Sequence, residues 1–277
     1  MASSLQYSAR VSVDDTYRSE LTEFAAQCVI SAGSEALPFF RSDLSVENKL
    51  ADAGGFDPVT HADRAVERKI RDQLKASYPS HGIYGEEFGH ESGNGLTWVI
   101  DPIDGTRAFM AGFVHWGVLL ALFDGEEPIV GAMYQPYVGE LFLGDGRNAW
   151  HQRGSERRSI RTSQCERISD AVMGTTGVDW FPDQERRGFE ALRKQAKLTR
   201  LGGDCYVHAL VAMGGVDIGT DALLQAYDIQ ALIPIVRGAG GVVSDYQGGD
   251  ASLGGTVVCC ANETLHKEVL RVIEQTG

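Results

Sequence analysis

Trp98-Val-Ile-Asp-Pro-Ile-Asp-Gly-Thr106 is the stretch that decides how this chain is read. Trp98, Val99 and Ile100 form a short apolar run suited to a buried strand. Asp101 and Asp104 follow three apart with Pro102 between them. Proline fixes its own φ and removes a backbone donor, so such a turn can aim carbonyls and carboxylates at one point. Gly105 permits a close approach of backbone to a ligand. From Thr106 a helix can start, whose free N–H groups and dipole favour a phosphate. Hard oxygen ligands beside an anion-binding helix start suggest Mg²⁺-assisted phosphate chemistry. The competing reading is a polar strand-to-helix turn, because Asp, Pro, Gly and Thr are all ordinary turn residues.

Two distant segments shift the balance toward chemistry. Gly85-Glu86-Glu87 lies upstream, after the helix-breaking Tyr78-Pro79-Ser80-His81-Gly82. One of its carboxylates can be a ligand while the other positions water or stays solvated. Asp228 opens a helical pattern made by Ile229, Leu232, Ile233 and Val236, and an N-cap role is the plain alternative there. That pattern ends in Gly238-Ala239-Gly240-Gly241, a glycine stop, and 242–244 reads as a strand.

Composition narrows the class. A chain of 277 residues with 43% hydrophobic content can bury one large core or two fused ones. A net charge of −13 argues against nonspecific nucleic-acid or anionic-membrane binding. The same acidity is awkward for a phosphate binder unless metal ions reverse the local sign. The five cysteines show neither zinc spacing nor a disulfide framework; Cys28, Cys259 and Cys260 read as buried reduced thiols. No stretch reads as a signal peptide or a membrane span, so a soluble cytoplasmic protein is expected. His61, His81, His90 and His115 do not pair at ligand spacing, which disfavours a zinc hydrolase. No G-x-S-x-G elbow occurs. The glycines at 238–241 follow a helix and precede a strand, the reverse of a dinucleotide fingerprint.

The chain before about Val13 reads as a loose arm. Leu21, Phe24, Ala25 and Cys28 mark one amphipathic helix. Ala62, Val66, Ile70 and Leu74 mark another, with Thr60 as its N-cap. Residues 118–123, 129–133 and 140–143 read as strands of a meander, hence an antiparallel sheet. A basic, polar stretch at 147–164 suggests a hinge or exposed hairpin. Beyond it strands and helices alternate: a strand at 171–175, helices at 185–195, 206–213 and 228–237, and a final helix carrying Leu265, Val269 and Val272. Alternation of this kind predicts a layered α/β sandwich of two subdomains, with the site where they meet.

The acidic segments together resemble the inositol monophosphatase-like, Mg²⁺-dependent phosphatases. The match is carried by Asp101-Pro-Ile-Asp-Gly-Thr106, Gly85-Glu-Glu87, Asp228 with Ala239-Gly-Gly241, and Asp57-Pro-Val-Thr-His-Ala-Asp63, and it spans about 49–241. The resemblance implies an α/β, layered αβαβα fold. Its subdomains are expected at 1–146, with most metal ligands, and at 147–277, with Asp228 and the specificity residues. It implies metal binding by Glu86, Asp101, the Ile103 carbonyl, Asp104 and Asp228, to two or three Mg²⁺ ions for which Mn²⁺ can substitute. It places the phosphate on Gly105 and Thr106, gives Glu86 a catalytic role, and has Asp63 with Thr106 activate the attacking water. Asp63 is otherwise a first-turn helix charge. Lys49 matches a lysine near that water or is a surface lysine; Gly54-Gly55 intervenes. A small phosphorylated metabolite as substrate, and a homodimer, are further implications.

Some details resemble the histidinol-phosphate phosphatase branch: Arg107-Ala108-Phe109, Trp116-Gly117, Gly202-Gly-Asp-Cys-Tyr206 and Tyr227 to Pro234. Phe113-Val114-His115 and Leu223-Leu224-Gln225 depart from it. On this resemblance Arg107, Gly203, Asp204, Asp221 and Asp228 bind the substrate. Two acids, Asp204 and Asp221, suit a cationic amine better than a neutral polyol. In the competing reading Asp204 caps the helix at Tyr206 and Asp221 ends a turn. The expected reaction is hydrolysis of L-histidinol phosphate; the alternative is hydrolysis of inositol 1-phosphate or another small phosphomonoester. A regulatory binding protein on the same fold would show lost ligand positions or a basic patch.

Overall fold

Alternation along the Trp98 strand sets the layers. A computed structural model of the chain describes residues 10–42, 46–48 and 58–276; Lys49, Gly54, Gly55, Asp57 and the Thr60 side chain lie outside the described residues. The first half contains α1 (Asp15–Gly33), β1 (Val46–Asn48), β2 (Pro58–Thr60), α2 (His61–Ser77), β3 (Gly82–Gly85) and β4 (Gly89–Glu91). It continues with β5 (Thr97–Asp104), α3 (Thr106–Ala111), β6 (Gly117–Phe123), β7 (Pro128–Gln135), β8 (Glu140–Gly144), β9 (Ala149–Arg153) and β10 (Glu156–Ser159). Then come β11 (Val172–Thr175), α4 (Asp183–Gln195), β12 (Leu198–Leu201), α5 (Cys205–Met213) and β13 (Ile218–Leu224). The chain closes with α6 (Ala226–Ile229), α7 (Leu232–Gly238), β14 (Val242–Asp245), β15 (Gly255–Cys260) and α8 (Glu263–Glu274).

Eight strands form the first large sheet, in the order β10-β9-β8-β7-β6-β5-β3-β4, and five form the second, in the order β12-β11-β13-β15-β14. Successive side chains of a strand face opposite ways. Trp98 and Ile100 of β5 therefore join Leu21, Val66 and Ile70 of α1 and α2 on one face. Val99, with Leu119 and Ala121 of β6, meets Ala209, Leu232 and Val236 of α5 and α7 on the other. Val257 and Cys259 of β15 complete that middle layer from the second sheet. Val258 and Cys260 point away from it, toward Phe189 and Leu192 of α4 and Leu265 and Val269 of α8. The layers run helix, sheet, helix, sheet, helix, the αβαβα sandwich the resemblance implied. Both faces of β6 are buried, so its run Gly117–Phe123 is apolar throughout. A one-residue slip would exchange the two faces and their partners together.

Three local differences from the sequence reading have physical causes. The helix expected at 228–237 is two helices, α6 and α7, parted at Gln230 and Ala231. Pro234 lacks an N–H and its ring would collide with the carbonyl four residues back, so it is held in the first turn of a fresh helix. The first sheet is not purely antiparallel, because β3 pairs with β5 in parallel. The arm is docked at its described end: the Val11 N–H donates to the Asp124 carbonyl at 2.8 Å, and Arg10 Nε to the Asp124 carboxylate at 2.8 Å.

The basic stretch forms a hairpin of β9 and β10, in which β10 is exposed while Ala149 and His151 of β9 are buried. It extends the first sheet to Ser159 and so crosses residue 147, while the second sheet begins at Val172. Cys28, Cys205, Cys259 and Cys260 are buried free thiols. Among the described residues no helix is long and apolar enough to cross a membrane.

Candidate active site

The parallel pairing of β3 with β5 builds the site. Gly85 stands opposite Ile100, so Glu86 and Asp101 leave neighbouring strands side by side. The Glu86 N–H donates to the Ile100 carbonyl at 3.3 Å. Asp101 is only 2% exposed, and its Oδ1 accepts the Ile103 N–H at 3.1 Å. Pro102, between them, has no donor to compete for that oxygen. The register against β6 shifts between Asp101 and Asp104, which turns the second carboxylate toward the first. Gly105 follows at φ +81°, where a Cβ would meet the His115 carbonyl at 2.7 Å and Asp204 at 3.0 Å. Only glycine satisfies both constraints. The Thr106 hydroxyl, in the first turn of α3, donates to the Ile103 carbonyl at 3.1 Å.

Asp228 arrives from the other half of the chain. It is not an N-cap: Gln225 caps α6, and Asp228 is its third residue, accepting the Gln225 N–H at 2.6 Å in a reciprocal capping box. One carboxylate oxygen from each of Asp101, Asp104 and Asp228 lies within 4.8 Å of the others. Burial, and then Glu86, Asp104 and Asp228, push the Asp101 carboxyl well above the usual carboxylate range. Burial and Asp228 lift Asp104 to about 7, against two hydrogen bonds from Cys205 that lower it. Crowded, buried, like-charged hard oxygens fit a divalent cation, which replaces their mutual repulsion with attraction.

Glu67, absent from the sequence reading, supports the Glu86 loop from below. It is fully buried on α2, and its carboxylate accepts the Glu87 N–H at 2.7 Å and the Phe88 N–H at 3.1 Å. Arg71 Nε completes the set at 2.8 Å. A Cβ at Gly85 would lie 2.0 Å from Glu67 Oε1, so glycine is required for the strand to sit on the carboxylate. Glu87 is not solvated; its side chain is 3% exposed, with Arg64 Nε at 3.9 Å. A signal for Glu67 was present in the sequence. Asp63, Glu67, Ile70 and Leu74 share the inward stripe of α2, where an acid needs a partner.

A cavity of about 280 Å³ opens beside the acids, and Asp104, Thr106, Asp204, Asp221 and Asp228 reach it. Asp204 precedes α5, yet its side chain makes no capping bond, so the capping alternative is overturned. Its backbone is at φ +45°, an unusual state for a non-glycine residue. Burial, then Asp104 and Asp221, raise its carboxyl to about 8, against Arg107, which lowers it. Asp221 ends no turn; it lies within β13 and is 3% exposed. Its Oδ1 accepts the Thr175 hydroxyl at 2.9 Å and the Thr176 N–H at 2.7 Å, while Oδ2 lies 3.2 Å from His208 Nε2. Thr175, Thr176 and His208 gave no signal in the sequence, because the pairing of β11 with β13 brings the threonines to Asp221 and the packing of α5 on β13 brings His208.

Gly105 and Arg107 line the same cavity, and the Arg107 guanidinium stacks 4.4 Å from the Trp180 ring centroid. Ile103 is buried beneath it, and Asp63 is 1% exposed in the first turn of α2. Gly203 instead lines a neighbouring cavity of about 240 Å³ with Thr175, Tyr206 and Val207.

An αβαβα sandwich with a carboxylate cluster beside an acid-lined cavity is an arrangement suited to metal-dependent hydrolysis of phosphate monoesters. The chain belongs to the inositol monophosphatase family, whose model matches residues 17–277. It is 35% identical over 254 residues to the histidinol-phosphatase of Chlorobaculum parvum, covering 91% of this chain and 95% of that one. It is 32% identical to the chloroplastic bifunctional phosphatase IMPL2 of Arabidopsis thaliana, over 92% of this chain and 76% of that one. Among solved structures, an inositol monophosphatase from Zymomonas mobilis superposes with a TM-score of 0.81 at 30% identity, over 92% of this chain and 98% of that one. The protein is thus a phosphatase acting on small phosphate monoesters.

Proposed function

We propose that the protein hydrolyses L-histidinol phosphate to L-histidinol and phosphate. The observation that carries this reading is Asp204, a half-buried carboxylate whose side chain makes no capping bond and which lines the cavity beside the acidic cluster. An acid withdrawn from much of its water gains from a cationic partner, and the ammonium of an amino alcohol supplies one. Similarity to histidinol-phosphatases at 35% and 32% identity supports the same substrate.

Glu86, Asp101, the Ile103 carbonyl, Asp104 and Asp228 would hold two or three Mg²⁺ ions, with Mn²⁺ as substitute. When bound, such ions make water more acidic and offset charge on the phosphoryl oxygens. Gly105 and Thr106 hold the phosphate at the start of α3. The Thr106 hydroxyl, with Asp63, takes the proton of the attacking water and passes it on. The water oxygen bonds to phosphorus as the ester P–O bond breaks, and the leaving oxygen acquires a proton to become the alcohol. Asp204, with Asp221 behind it, holds the departing amine, and Arg107 and Gly203 shape the surrounding loop.

The chain is further proposed, on the family resemblance, to be a cytoplasmic homodimer of two subdomains, divided between the first sheet, which ends at Ser159, and the second, which begins at Val172. Light scattering after gel filtration tests the dimer. A phosphate-release comparison of L-histidinol phosphate with inositol 1-phosphate, at equal Mg²⁺, tests the substrate. Higher kcat/KM on inositol 1-phosphate would transfer the assignment to the polyol.

A further inference from the structure

Leu223 is 61% exposed, at φ +59°, in a strand whose register against β15 shifts between Asp221 and Leu224. Positive φ is costly for a bulky non-glycine residue, and strain of this kind persists where surrounding structure enforces it, commonly at ligand sites. Leu223 lines the same cavity as Asp204. Its segment, Leu223-Leu224-Gln225, is also one that departs from the family branch, and nothing in the hydrolytic chemistry uses it.

Trp180 lines the same cavity, its indole beside Arg107 and Gly177. The Arg107 guanidinium lies 4.4 Å from the ring centroid, and a Cβ at Gly177 would come within 2.7 Å of Nε1. The cavity thus carries carboxylates and, on the same lining, an aliphatic and an aromatic surface. A polyol would lose water from its hydroxyls against those surfaces and gain no partner. A flat unsaturated ring would gain burial from both and, beside an ammonium, satisfy the acids as well.

We propose that Leu223 and Trp180 form an apolar lip that selects a flat unsaturated ring on the leaving group, so that the substrate class is a ring-bearing, cationic alkyl phosphate. The proposal rests on reading this cavity as the leaving-group site of the phosphatase.

Four esters separate the two recognition elements: L-histidinol phosphate (ring and ammonium), 2-(imidazol-4-yl)ethyl phosphate (ring alone), O-phosphoethanolamine (ammonium alone) and glycerol 2-phosphate (neither). The variants are Leu223→Asn, whose residue adopts positive φ readily and so keeps the backbone, and Trp180→Leu. Each is expected to lower the ratio of kcat/KM for ring-bearing over ringless esters by roughly tenfold. Asp204→Asn is expected to lower the ratio of ammonium-bearing to ammonium-free esters and to leave the ring ratio alone. An unchanged ring ratio in Leu223→Asn, with an unchanged melting temperature, overturns the lip. A fallen ring ratio together with an unchanged ammonium ratio in Asp204→Asn keeps the lip and overturns the amine reading.

Discussion

The Cys205 backbone N–H donates to the Asp104 carboxylate at 2.6 Å, across a separation of 101 residues. It joins the end of β5 to the start of α5, so the acidic cluster and the loop carrying Asp204 are held as one unit. The donor is one of the N–H groups that a helix start leaves without an internal acceptor, and a carboxylate there is favoured. Asp104 thereby faces the cluster on one side and the cavity on the other.

Removal of metal should expose the repulsion within the cluster. Asp104 at about 7 and Asp204 at about 8 stand above the ordinary 3.8 of an aspartate. Between roughly pH 4 and 8 the folded, metal-free protein then binds more protons than the unfolded chain, so this contribution to stability falls as pH rises, by up to about 1.4 kcal/mol per pH unit per group. The gain in melting temperature from Mg²⁺ over EDTA should therefore be larger at pH 8 than at pH 5.5. Calorimetry at both values checks this, and an equal gain counts against a cation in the cluster. Turnover should disappear in excess EDTA and return with Mg²⁺ or Mn²⁺.

Asp101→Asn should abolish nearly all turnover and weaken Mg²⁺ binding, because it removes the most buried charge of the cluster. Thr106→Ala should leave Mg²⁺ affinity intact and lower kcat. It removes a hydroxyl assigned to the attacking water, and a change confined to KM would contradict that assignment. Titration calorimetry and steady-state kinetics separate the two outcomes.

Asp204→Asn should hurt L-histidinol phosphate far more than inositol 1-phosphate. A charge-assisted hydrogen bond contributes about 1.5–3 kcal/mol, which predicts a ten- to hundredfold loss in kcat/KM on the amine. General damage to folding or metal binding would lower both substrates alike, so their ratio is the informative quantity.

Glu67→Ala should destabilise the fold by about 3–5 kcal/mol, as expected when one partner of a buried ion pair is removed. It should also raise the Mg²⁺ concentration for half-maximal activity by roughly tenfold or more, through the loosened Glu86 loop. Gly85→Ala should share the second effect, because its Cβ would lie 2.0 Å from Glu67 Oε1. An Mg²⁺ requirement unchanged in both variants would make Glu67 purely a packing residue. Thermal unfolding and an Mg²⁺ titration of activity provide the two measurements.

The sequence by itself determined the parts whose signal is local. The apolar run before Asp101, the periodic faces of α2, α4 and α8, and the Asp-Pro-Ile-Asp-Gly-Thr turn follow from backbone and side-chain preferences over a few residues. The break between α6 and α7 is equally local, written in Pro234. Tertiary structure alone decided what meets what. Parallel pairing of β3 with β5 sets Glu86 beside Asp101, and the bond from Cys205 brings Asp204 to Asp104. Asp204 and Asp221 looked alike in sequence; packing left one facing the cavity uncapped and gave the other to Thr175 and Thr176. Glu67 shows the reason most directly. Its spacing marks it as inward-facing, but whether a buried acid is satisfied depends on N–H groups 20 and 21 residues away, which only the folded chain delivers.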